Sequence, residues 1–455
     1  MTERLMALQQ RLAAGAVRGR YTLFVNLGWV LAIGGAALFV VALTGGEGSR
    51  AWQAFHVNWI FFTGITGGSL ALAAVHKVVN AKWSGVIIRF SEATVFFAVV
   101  SVIACILIFT LGYEAIYGHM HEQLHSLPHG KALWLSHEFM AGRLILGLIV
   151  LFGVGWKLVR ADLTPDMAAV KGAVDEARRP LYEQWTAGYD GSPAGALANE
   201  AKIRRLAPLY VVLYALVFTL IAFDGIMALQ PHWFSNLLGG WYFMGSFLGA
   251  HTLLALLALY GRKQLGIADL VSPKQRHDLG KLCFGFTVFW AYLMWSQFLV
   301  IWYGNLPEET GFVFARLWGP WQPVGRWVFL GMFLIPFWGL IFVAAKKSPL
   351  FLGIFATISL VSLWVERYLL VTPSVTHEAG PVFGLPEAGP LLLFLGCFLL
   401  AYGIFARTFP MLSPRLATIT LLDERKHGHG EEFFHDEKPA DFAMPAELDR
   451  RDHSR

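Results

Sequence analysis

Long apolar runs separated by short polar stretches dominate the 455-residue chain. A helix needs about 20 mostly apolar residues to cross the roughly 30 Å hydrocarbon core of a bilayer. Ten runs approach or exceed that length, and we predict membrane-spanning helices at residues 21–44, 56–78, 86–113, 133–156, 206–227, 241–260, 282–303, 327–343, 349–370 and 390–405. The pattern predicts an all-α integral membrane protein with ten transmembrane helices.

Composition agrees with this class. Hydrophobic residues make up 56% of the chain and charged residues only 15%, whereas an average soluble domain carries about 25% charged residues. The three cysteines, Cys105, Cys283 and Cys397, lie in separate apolar runs, and no two have C-x-x-C spacing. The chain alone is therefore not expected to attach a c-type haem or to bind an iron–sulfur cluster through cysteines.

Lysine and arginine are distributed unequally over the predicted loops. If both termini are cytoplasmic, the inner segments carry thirty of these residues and the outer loops carry four. Basic residues collect in cytoplasmic loops, so the imbalance predicts ten spans with both termini in the cytoplasm. The net charge of +5 reflects this topology, and nothing in the pattern indicates a nucleic-acid partner.

Two predicted spans carry glycines at the same four-residue spacing, Gly64 and Gly68 in the second and Gly245 and Gly249 in the sixth. Such spacing lets helix backbones approach closely. Both spans run in the same direction, which suggests a parallel repeat. We predict two four-helix bundles, at 54–230 and 231–372, with the peripheral first and tenth helices in segments 21–53 and 373–410.

Three segments interrupt the apolar pattern. Residues 1–20 are predicted to form a cytoplasmic amphipathic N-terminus, and residues 161–205 form a cytoplasmic insertion in the first bundle. Within this insertion, 166–185 mixes charge with apolar residues at helical spacing, which predicts a short amphipathic helix. The cytoplasmic tail, 411–455, has little apolar periodicity and is predicted to be disordered or to order only on binding.

Ionisable residues inside the predicted spans are the main candidates for function, because a charge near the bilayer centre costs roughly 2.5–3.5 kcal/mol on insertion scales. Arg143 is predicted to lie near the midplane and to need a partner. Carboxylates and imidazoles at such depths can relay protons. The inner group of candidates is His76, Arg89 and Glu92, and His251 is predicted to lie alone near mid-membrane. The outer group consists of Glu114, His137, Arg143, Asp224, Glu366 and Arg367. Structural ion pairing is the alternative for each, and it stays open here.

Metal and haem sites have weaker support. A b-type haem needs two histidines at matched depth, and His251 is alone at its depth in the predicted topology. An outer loop holds four histidines that could bind a metal or remain solvated: His119, His121, His125 and His129. We expect no metal bound by this chain.

Two long motifs carry a family resemblance. Residues 222–235 (AFDGIMALQPHWFS), continued by 241–247 (WYFMGSF), form the first, and residues 290–310 (WAYLMWSQFLVIWYGNLPEET) form the second. Both resemble the NrfD/PsrC-type membrane subunits of alternative complex III, a bacterial quinol:electron-acceptor oxidoreductase. The resemblance covers most of residues 20–407. The insertion after the fourth span and the run from Glu308 to Thr310 are more similar to its ActF-like subunits.

The resemblance implies a subunit of the bacterial cytoplasmic membrane that has no redox cofactor of its own. Haem c and iron–sulfur clusters would lie on partner subunits, which include a second NrfD-like subunit, an iron–sulfur subunit and c-type cytochromes. The expected function is to support quinol oxidation coupled to electron transfer to a periplasmic acceptor, with proton conduction through the buried polar groups. Membrane lipids are expected around it.

Two alternatives remain open. The chain could bind quinol directly, with Asp224 or His137 accepting a proton while Trp233, Phe243 and Tyr292 hold the ring. It could instead be an independent secondary transporter, since repeated bundles with buried charges are common in that class. The predicted parallel repeat and unbroken spans argue against transport.

Overall fold

The computed structural model describes residues 10–12, 21–376 and 380–426. Within these ranges the labelled helices are α1 Thr22–Thr44, α2 Gly48–Val78, α3 Ile88–Glu92, α4 Phe97–Thr110, α5 Tyr113–Gln123, α6 His129–Trp134, α7 His137–Val170, α8 Arg179–Thr186, α9 Pro193–Gly225, α10 Leu238–Gln264, α11 Pro273–Gly304, α12 Pro307–Leu317, α13 Gln322–Phe329, α14 Ile335–Leu340, α15 Val343–Lys347, α16 Pro349–Val375, α17 Leu385–Thr408 and α18 Pro414–Lys426. The described part of the chain contains no strand.

Ten helical segments are long and apolar enough to cross a membrane, which confirms the predicted all-α membrane class and the span count. Six are single helices, α1, α2, α10, α11, α16 and α17, and the fourth and fifth are α7 and α9, each followed by a short 3₁₀ turn. The third span, Ile88–Ser126, begins with α3, continues through a 3₁₀ turn into α4, and ends beyond α5. The eighth, Gly319–Leu340, contains α13, a π-helical turn at Leu330–Leu334, and α14.

Contacts between distant loops show that the helices alternate in direction. At one end, which we call the basic end, Asp162 in the last part of the fourth span pairs with Lys77 at the end of the second and with Arg415 after the tenth. At the other, which we call the opposite end, Arg50 at the start of the second span pairs with Glu387 at the start of the tenth, at 2.9 Å. Between two residues that meet at the same end, the chain therefore crosses from one end of the bundle to the other an even number of times.

Helix packing contains two rings of four neighbours. In the first ring α2, α4, α7 and α9 contact one another in turn, and in the second α10, α11, α14 and α16 do so. The rings meet where α2 contacts α10 and α16, and where α9 contacts α10. Helices α1 and α17 form an extensive pair that joins the bundle mainly through contacts of α17 with α2. As a result, α2 lies at the centre of the molecule.

Glycines permit the close approach at this centre. A Cβ atom on Gly68 of α2 would lie 2.5 Å from the backbone oxygen of Ser246 on α10, and one on Gly64 would lie 2.8 Å from the Ser246 hydroxyl oxygen. On α10, a Cβ on Gly249 would lie 2.5 Å from the Leu363 side chain of α16. The glycines of α2 thus permit close contact between the two rings, whereas Gly249 of α10 permits close contact with α16 inside the second ring.

The segments between spans differ from the predictions. Helix α7 continues to Val170 and α9 begins at Pro193, so the two spans extend far into the predicted insertion. The amphipathic helix is α8, at Arg179–Thr186, because 166–170 belong to α7. Disorder is wrong for the start of the tail, since α18 is a helix with buried residues such as Ala417 and Thr420. Residues 427–455, and 1–20 apart from 10–12, lie outside the described ranges.

Candidate functional site

The central helix α2 combines burial with polarity. Within its most apolar window, 94% of the residues are buried inside the protein, the largest share of the ten spans. Its mean hydropathy in that window is 1.4, whereas the fourth span reaches 1.9 and the third 2.8. The difference arises because α2 buries a series of polar side chains: Gln53, His56, Asn58, Thr63, Thr66, Ser69 and His76.

Four of these polar groups lack partners. The Nδ1 atom of His56 and the hydroxyls of Thr63, Thr66 and Ser69 are buried and form no hydrogen bond with the described residues. A hydroxyl in a helix commonly bonds to a carbonyl one turn earlier, and Ser101 and Thr252 elsewhere in the bundle bond to nearby backbone carbonyls. The three α2 hydroxyls form no such bond in the described part of the chain, as is also the case for the buried hydroxyls of Ser91, Thr287 and Ser362.

Their spacing covers the thickness of a membrane. From His56 to His76 there are 20 residues, which corresponds to about 30 Å along a helix. Thr63, Thr66 and Ser69 follow one another at intervals of about 4.5 Å along the axis. The polar groups of α2 are therefore distributed between the two ends of the bundle along its most enclosed helix. We call these five residues the α2 polar column: His56, Thr63, Thr66, Ser69 and His76.

An ion cluster lies at the basic end of this column. It contains three cations and three carboxylates, supplied by α2, α3, α7 and α18: Lys77, Arg89, Glu92, Asp162, Asp166 and Arg415. The side chain of Arg89 is completely buried, and the three carboxylates are no more than 2% exposed. Charges this deeply buried require partners with complementary charge, and the equal numbers supply them.

Asp162 is the centre of the cluster. Its carboxylate accepts hydrogen bonds from Lys77 Nζ at 2.6 Å and Arg415 Nη2 at 3.0 Å, and it forms an ion pair with Arg89 Nη2 at 2.9 Å. Glu92 has weaker pairing, with Arg89 Nη1 at 3.0 Å and Lys77 Nζ at 3.7 Å. Glu92 is therefore the carboxylate that loses least direct pairing when it takes up a proton.

The chain after the tenth span closes this cluster. Ser413 donates a hydrogen bond of 2.8 Å to Asp166, whose other oxygen pairs with Arg89 at 2.5 Å. Burial alone would lower the pKa of Arg415, but the carboxylates of Asp162 and Asp166 outweigh it and the pKa is raised. Arg415 thus stays charged, and α18 completes the charge balance that the spans leave open.

At the opposite end, Arg143 and Asp224 form a bidentate ion pair. The Arg143 Nε and Nη2 atoms donate to the two Asp224 oxygens at 2.7 and 2.5 Å. The guanidinium also donates to the Trp134 carbonyl and lies 4.0 Å from the Trp134 ring centroid. Because α7 begins at His137, Arg143 lies only about 9 Å into the helix. Arg143 has the partner that the prediction required, and it lies closer to the start of its helix than the predicted distance of about 15 Å.

His56 connects the column to this ion pair. Its Nε2 atom lies 2.7 Å from the carbonyl oxygen of Gly225, the residue after Asp224. Tyr117, whose ring is 5.7 Å from that of His56, donates to the Asp224 carbonyl at 3.1 Å. His56 is thus held through Nε2 beside the backbone that carries Asp224, while its Nδ1 atom has no partner among the described residues.

A separate ion pair lies in the second ring. Arg367 Nη1 pairs with Glu366 at 2.8 Å, and the indole of Trp290 donates to Glu366 at 2.9 Å. Arg367 also approaches the Tyr242 carbonyl and the Ser246 hydroxyl, at 3.2 and 3.4 Å. No ion pair or side-chain hydrogen bond between the described residues joins this pair to Arg143 and Asp224, so the predicted outer group is divided in two.

The remaining relay candidates have local contacts. His76 and His251 are buried, and each places Nδ1 2.8 Å from the carbonyl four residues earlier, at Leu72 and Phe247. The half-buried His137 places Nε2 2.8 Å from the Phe109 carbonyl. Glu114 is exposed. Among the described residues no group of three potential metal ligands is present.

The four residues predicted to hold a quinol are dispersed. Trp233 is buried and stacks on Phe312 at 3.6 Å, whereas Tyr292 is 61% exposed and stacks on Phe289. Phe243 accepts a hydrogen bond from Tyr214 through its carbonyl. No hydrogen bond or ring contact in the described structure joins any two of Asp224, Trp233, Phe243 and Tyr292.

The sequence candidates omit four of the five column residues and four of the six residues of the ion cluster. The predicted fourth span ends at residue 156, which places Asp162 and Asp166 in the predicted insertion. Their spacing of four residues, directly after an apolar run, was a signal that the helix continues with both acids on one face. The hydroxyls of α2 carry no comparable signal, because threonine and serine are unremarkable in a membrane helix.

The chain matches no protein-family model and no curated protein sequence.

Proposed function

We propose that this chain is an ActF-like, NrfD-type membrane subunit of a bacterial quinol-oxidising complex, and that it conducts protons between the two ends of its helix bundle. The two motifs at 222–247 and 290–310 support the family assignment. Electron transfer is assigned to partner subunits that carry haem c and iron–sulfur clusters. The basic end is assigned to the cytoplasm on the distribution of lysine and arginine.

The α2 polar column is the observation that carries proton conduction. Unpartnered hydroxyls in a buried helix are costly, since an unsatisfied polar group loses roughly 1–3 kcal/mol. Internal water commonly satisfies such groups, and a hydroxyl can donate and accept at the same time. A row of hydroxyls and water molecules through the most enclosed span is therefore suited to moving protons.

The ends of the column suit uptake and release. At the basic end Glu92 can take up a proton while Arg89 keeps Asp162 and Asp166 as partners. Beyond it the proton would pass His76, then the hydroxyls of Ser69, Thr66 and Thr63, and reach His56. Arg143 is partly exposed at the opposite end, so the ion pair with Asp224 can exchange a proton with the exterior.

Removing hydroxyls without changing volume tests the route. Thr63→Val and Thr66→Val together should reduce quinol-driven proton translocation by at least tenfold when the complete complex is reconstituted in vesicles, because the column loses two adjacent groups. The matched control is Thr252→Val, which removes a buried hydroxyl that already bonds to the Gly249 carbonyl. Quinol oxidation should continue in both variants after the proton gradient is released by an uncoupler.

Three outcomes separate the parts of the proposal. Normal translocation in the double variant would refute conduction along α2, whereas equal loss in the Thr252→Val control would indicate a packing effect and refute it as well. Mass spectrometry of the gently solubilised complex tests the family assignment independently. A chain recovered without haem-bearing and iron–sulfur partners would overturn that assignment.

A further inference from the structure

A basic groove opens on the surface between α7, α8 and α9. Its volume is about 540 Å³, within the roughly 300–1,000 Å³ typical of small-molecule sites. Four exposed basic residues line it, Lys157 and Arg160 from α7 and Lys202 and Arg205 from α9, and no carboxylate does so in the described part of the chain. The groove therefore favours an anionic ligand.

Its walls are braced by polar and aromatic contacts. Asn199 of α9 donates 2.8 Å to the Ala161 carbonyl of α7 and ties the two helices together at the groove. The guanidinium of Arg160 lies 5.1 Å from the ring centroid of Trp185 on α8. Trp185 is itself held against Trp156 and Phe409, with centroid distances of 5.5 and 4.8 Å. The cations are thus presented from a fixed frame.

The groove lies where the apolar spans end. Residues 144–156 contain no charged residue and Lys157 follows them, while Arg205 directly precedes the uncharged run 206–223. Arg160 and Lys202 are each three residues, or about 4.5 Å along the helix, further from the apolar run than Lys157 and Arg205. In a bilayer this level is occupied by the lipid phosphates, just outside the hydrocarbon core.

Apolar stripes continue from the basic residues into the membrane. On α9 the spacing of three and four residues from Lys202 and Arg205 leads to Leu209, Val212 and Leu216, which are all exposed. On α7 the same spacing from Arg160 and Lys157 leads to three further exposed residues, Gly153, Val150 and Leu146. Positions at this spacing share one face of a helix, so each stripe is basic at one end and apolar beyond.

From this geometry we infer that the groove binds an anionic phospholipid, with the phosphodiester on the four basic residues and the acyl chains along the two stripes. A soluble phosphate compound would use the basic residues alone. An acidic peptide segment would likewise leave the stripes without a role. A phospholipid would contact both features, with its phosphate at the level of the basic residues and its acyl chains at the level of the apolar stripes. This site is independent of the proposed proton route.

Native mass spectrometry of the purified full chain tests the proposal with phosphatidylglycerol, phosphatidylcholine and glycerophosphoglycerol, which is the headgroup without acyl chains. Lys202→Gln with Arg205→Gln should weaken phosphatidylglycerol binding about 25-fold, since each basic residue near an anionic lipid contributes about a factor of five. The matched control, Arg204→Gln with Lys263→Gln, removes two exposed charges outside the groove and should bind as the wild type does.

Preferential retention of phosphatidylglycerol over phosphatidylcholine, lost only in the groove variant, supports the proposal. Equal binding of glycerophosphoglycerol would assign the groove to a soluble phosphate ligand and overturn it. Binding that occurs only after deletion of residues 427–455 would show that the chain itself occupies the groove, with the same consequence. Unchanged binding in the groove variant would also refute the proposal.

Discussion

The buried ion pairs of this protein differ in how many partners each charge has. Asp162 forms ion pairs with three cations, whereas Asp224 depends on Arg143 alone among the described side chains. Removing one partner of a buried pair leaves the other charge unpaired, which costs about 3–5 kcal/mol. The energetic result of a substitution therefore depends on how many partners remain.

Asp224→Asn should lower the free energy of unfolding by about 3 kcal/mol, because the amide cannot neutralise the guanidinium of Arg143. The double variant Arg143→Gln with Asp224→Asn removes both charges and should recover at least half of that loss. Chemical unfolding of the purified protein in detergent measures both. An Asp224→Asn protein as stable as the wild type would indicate that Asp224 is protonated in the native state.

Glu92→Gln should behave differently from Asp162→Asn. Arg89 retains two carboxylates in the first variant, so stability should fall by less than about 1.5 kcal/mol, while proton translocation falls at least tenfold. Asp162→Asn removes the shared partner of three cations and should destabilise by about 3 kcal/mol or more. The two measurements are unfolding and vesicle acidification. Unimpaired translocation by Glu92→Gln would reduce Glu92 to a structural ion pair.

At the level of helices, α1 is held to the bundle largely through one glycine-lined contact with α17. Cβ atoms on Gly35 and Gly396 would each lie 2.2 Å from a backbone nitrogen of the other helix, at Leu393 and Ala32. Membrane helices associate through such close packing, because lipid provides no hydrophobic drive between them. This pair therefore depends on shape rather than on polar bonds.

Gly35→Ala, compared with Gly34→Ala, tests whether the pairing of α1 with α17 depends on close packing. The added methyl cannot fit without moving α1 from α17, and overpacking of this kind costs about 1–3 kcal/mol. Gly34→Ala is the control, because a Cβ there meets nothing within 4 Å. Cysteines introduced across the α1 and α17 contact should cross-link more slowly in Gly35→Ala than in the control. Equal rates and equal stability would contradict this packing.

The sequence predicts those features that depend on a local property of the chain. Ten spans follow from apolar length, and the ion pair of Arg89 and Glu92 follows from a spacing of three residues on one helix. Asp162 and Arg415 are separated by more than 250 positions, so their pairing depends on tertiary packing that no local pattern encodes. The burial of Thr63 and Thr66 is likewise a result of the central position of α2, which emerges only when both rings assemble.

Across the whole molecule, the basic end is closed by a segment that follows the last span. Helix α18 crosses the loop after α2, where Thr420 accepts from the Gly85 amide and donates to the Lys82 carbonyl at 2.5 Å. A Cβ on Gly85 would lie 2.4 Å from the Leu416 carbonyl oxygen. Since Ser413 and Arg415 also complete the ion cluster, α18 covers the end of the α2 polar column where proton uptake is proposed.

Two truncations isolate the contribution of α18. Ending the chain after residue 412 should lower the free energy of unfolding by about 3 kcal/mol. This truncation removes the burial of Leu422, which is worth about 1.5–3 kcal/mol. It also removes one partner from each of Asp162 and Asp166. Ending it after residue 426 keeps every described contact of α18 and serves as the control. Hydrogen exchange followed by mass spectrometry should show faster exchange at 88–92 and 158–170 only in the shorter chain. If both truncations retain wild-type stability and protection, α18 is not needed to hold the ion cluster, and the spans alone must keep its charges in place.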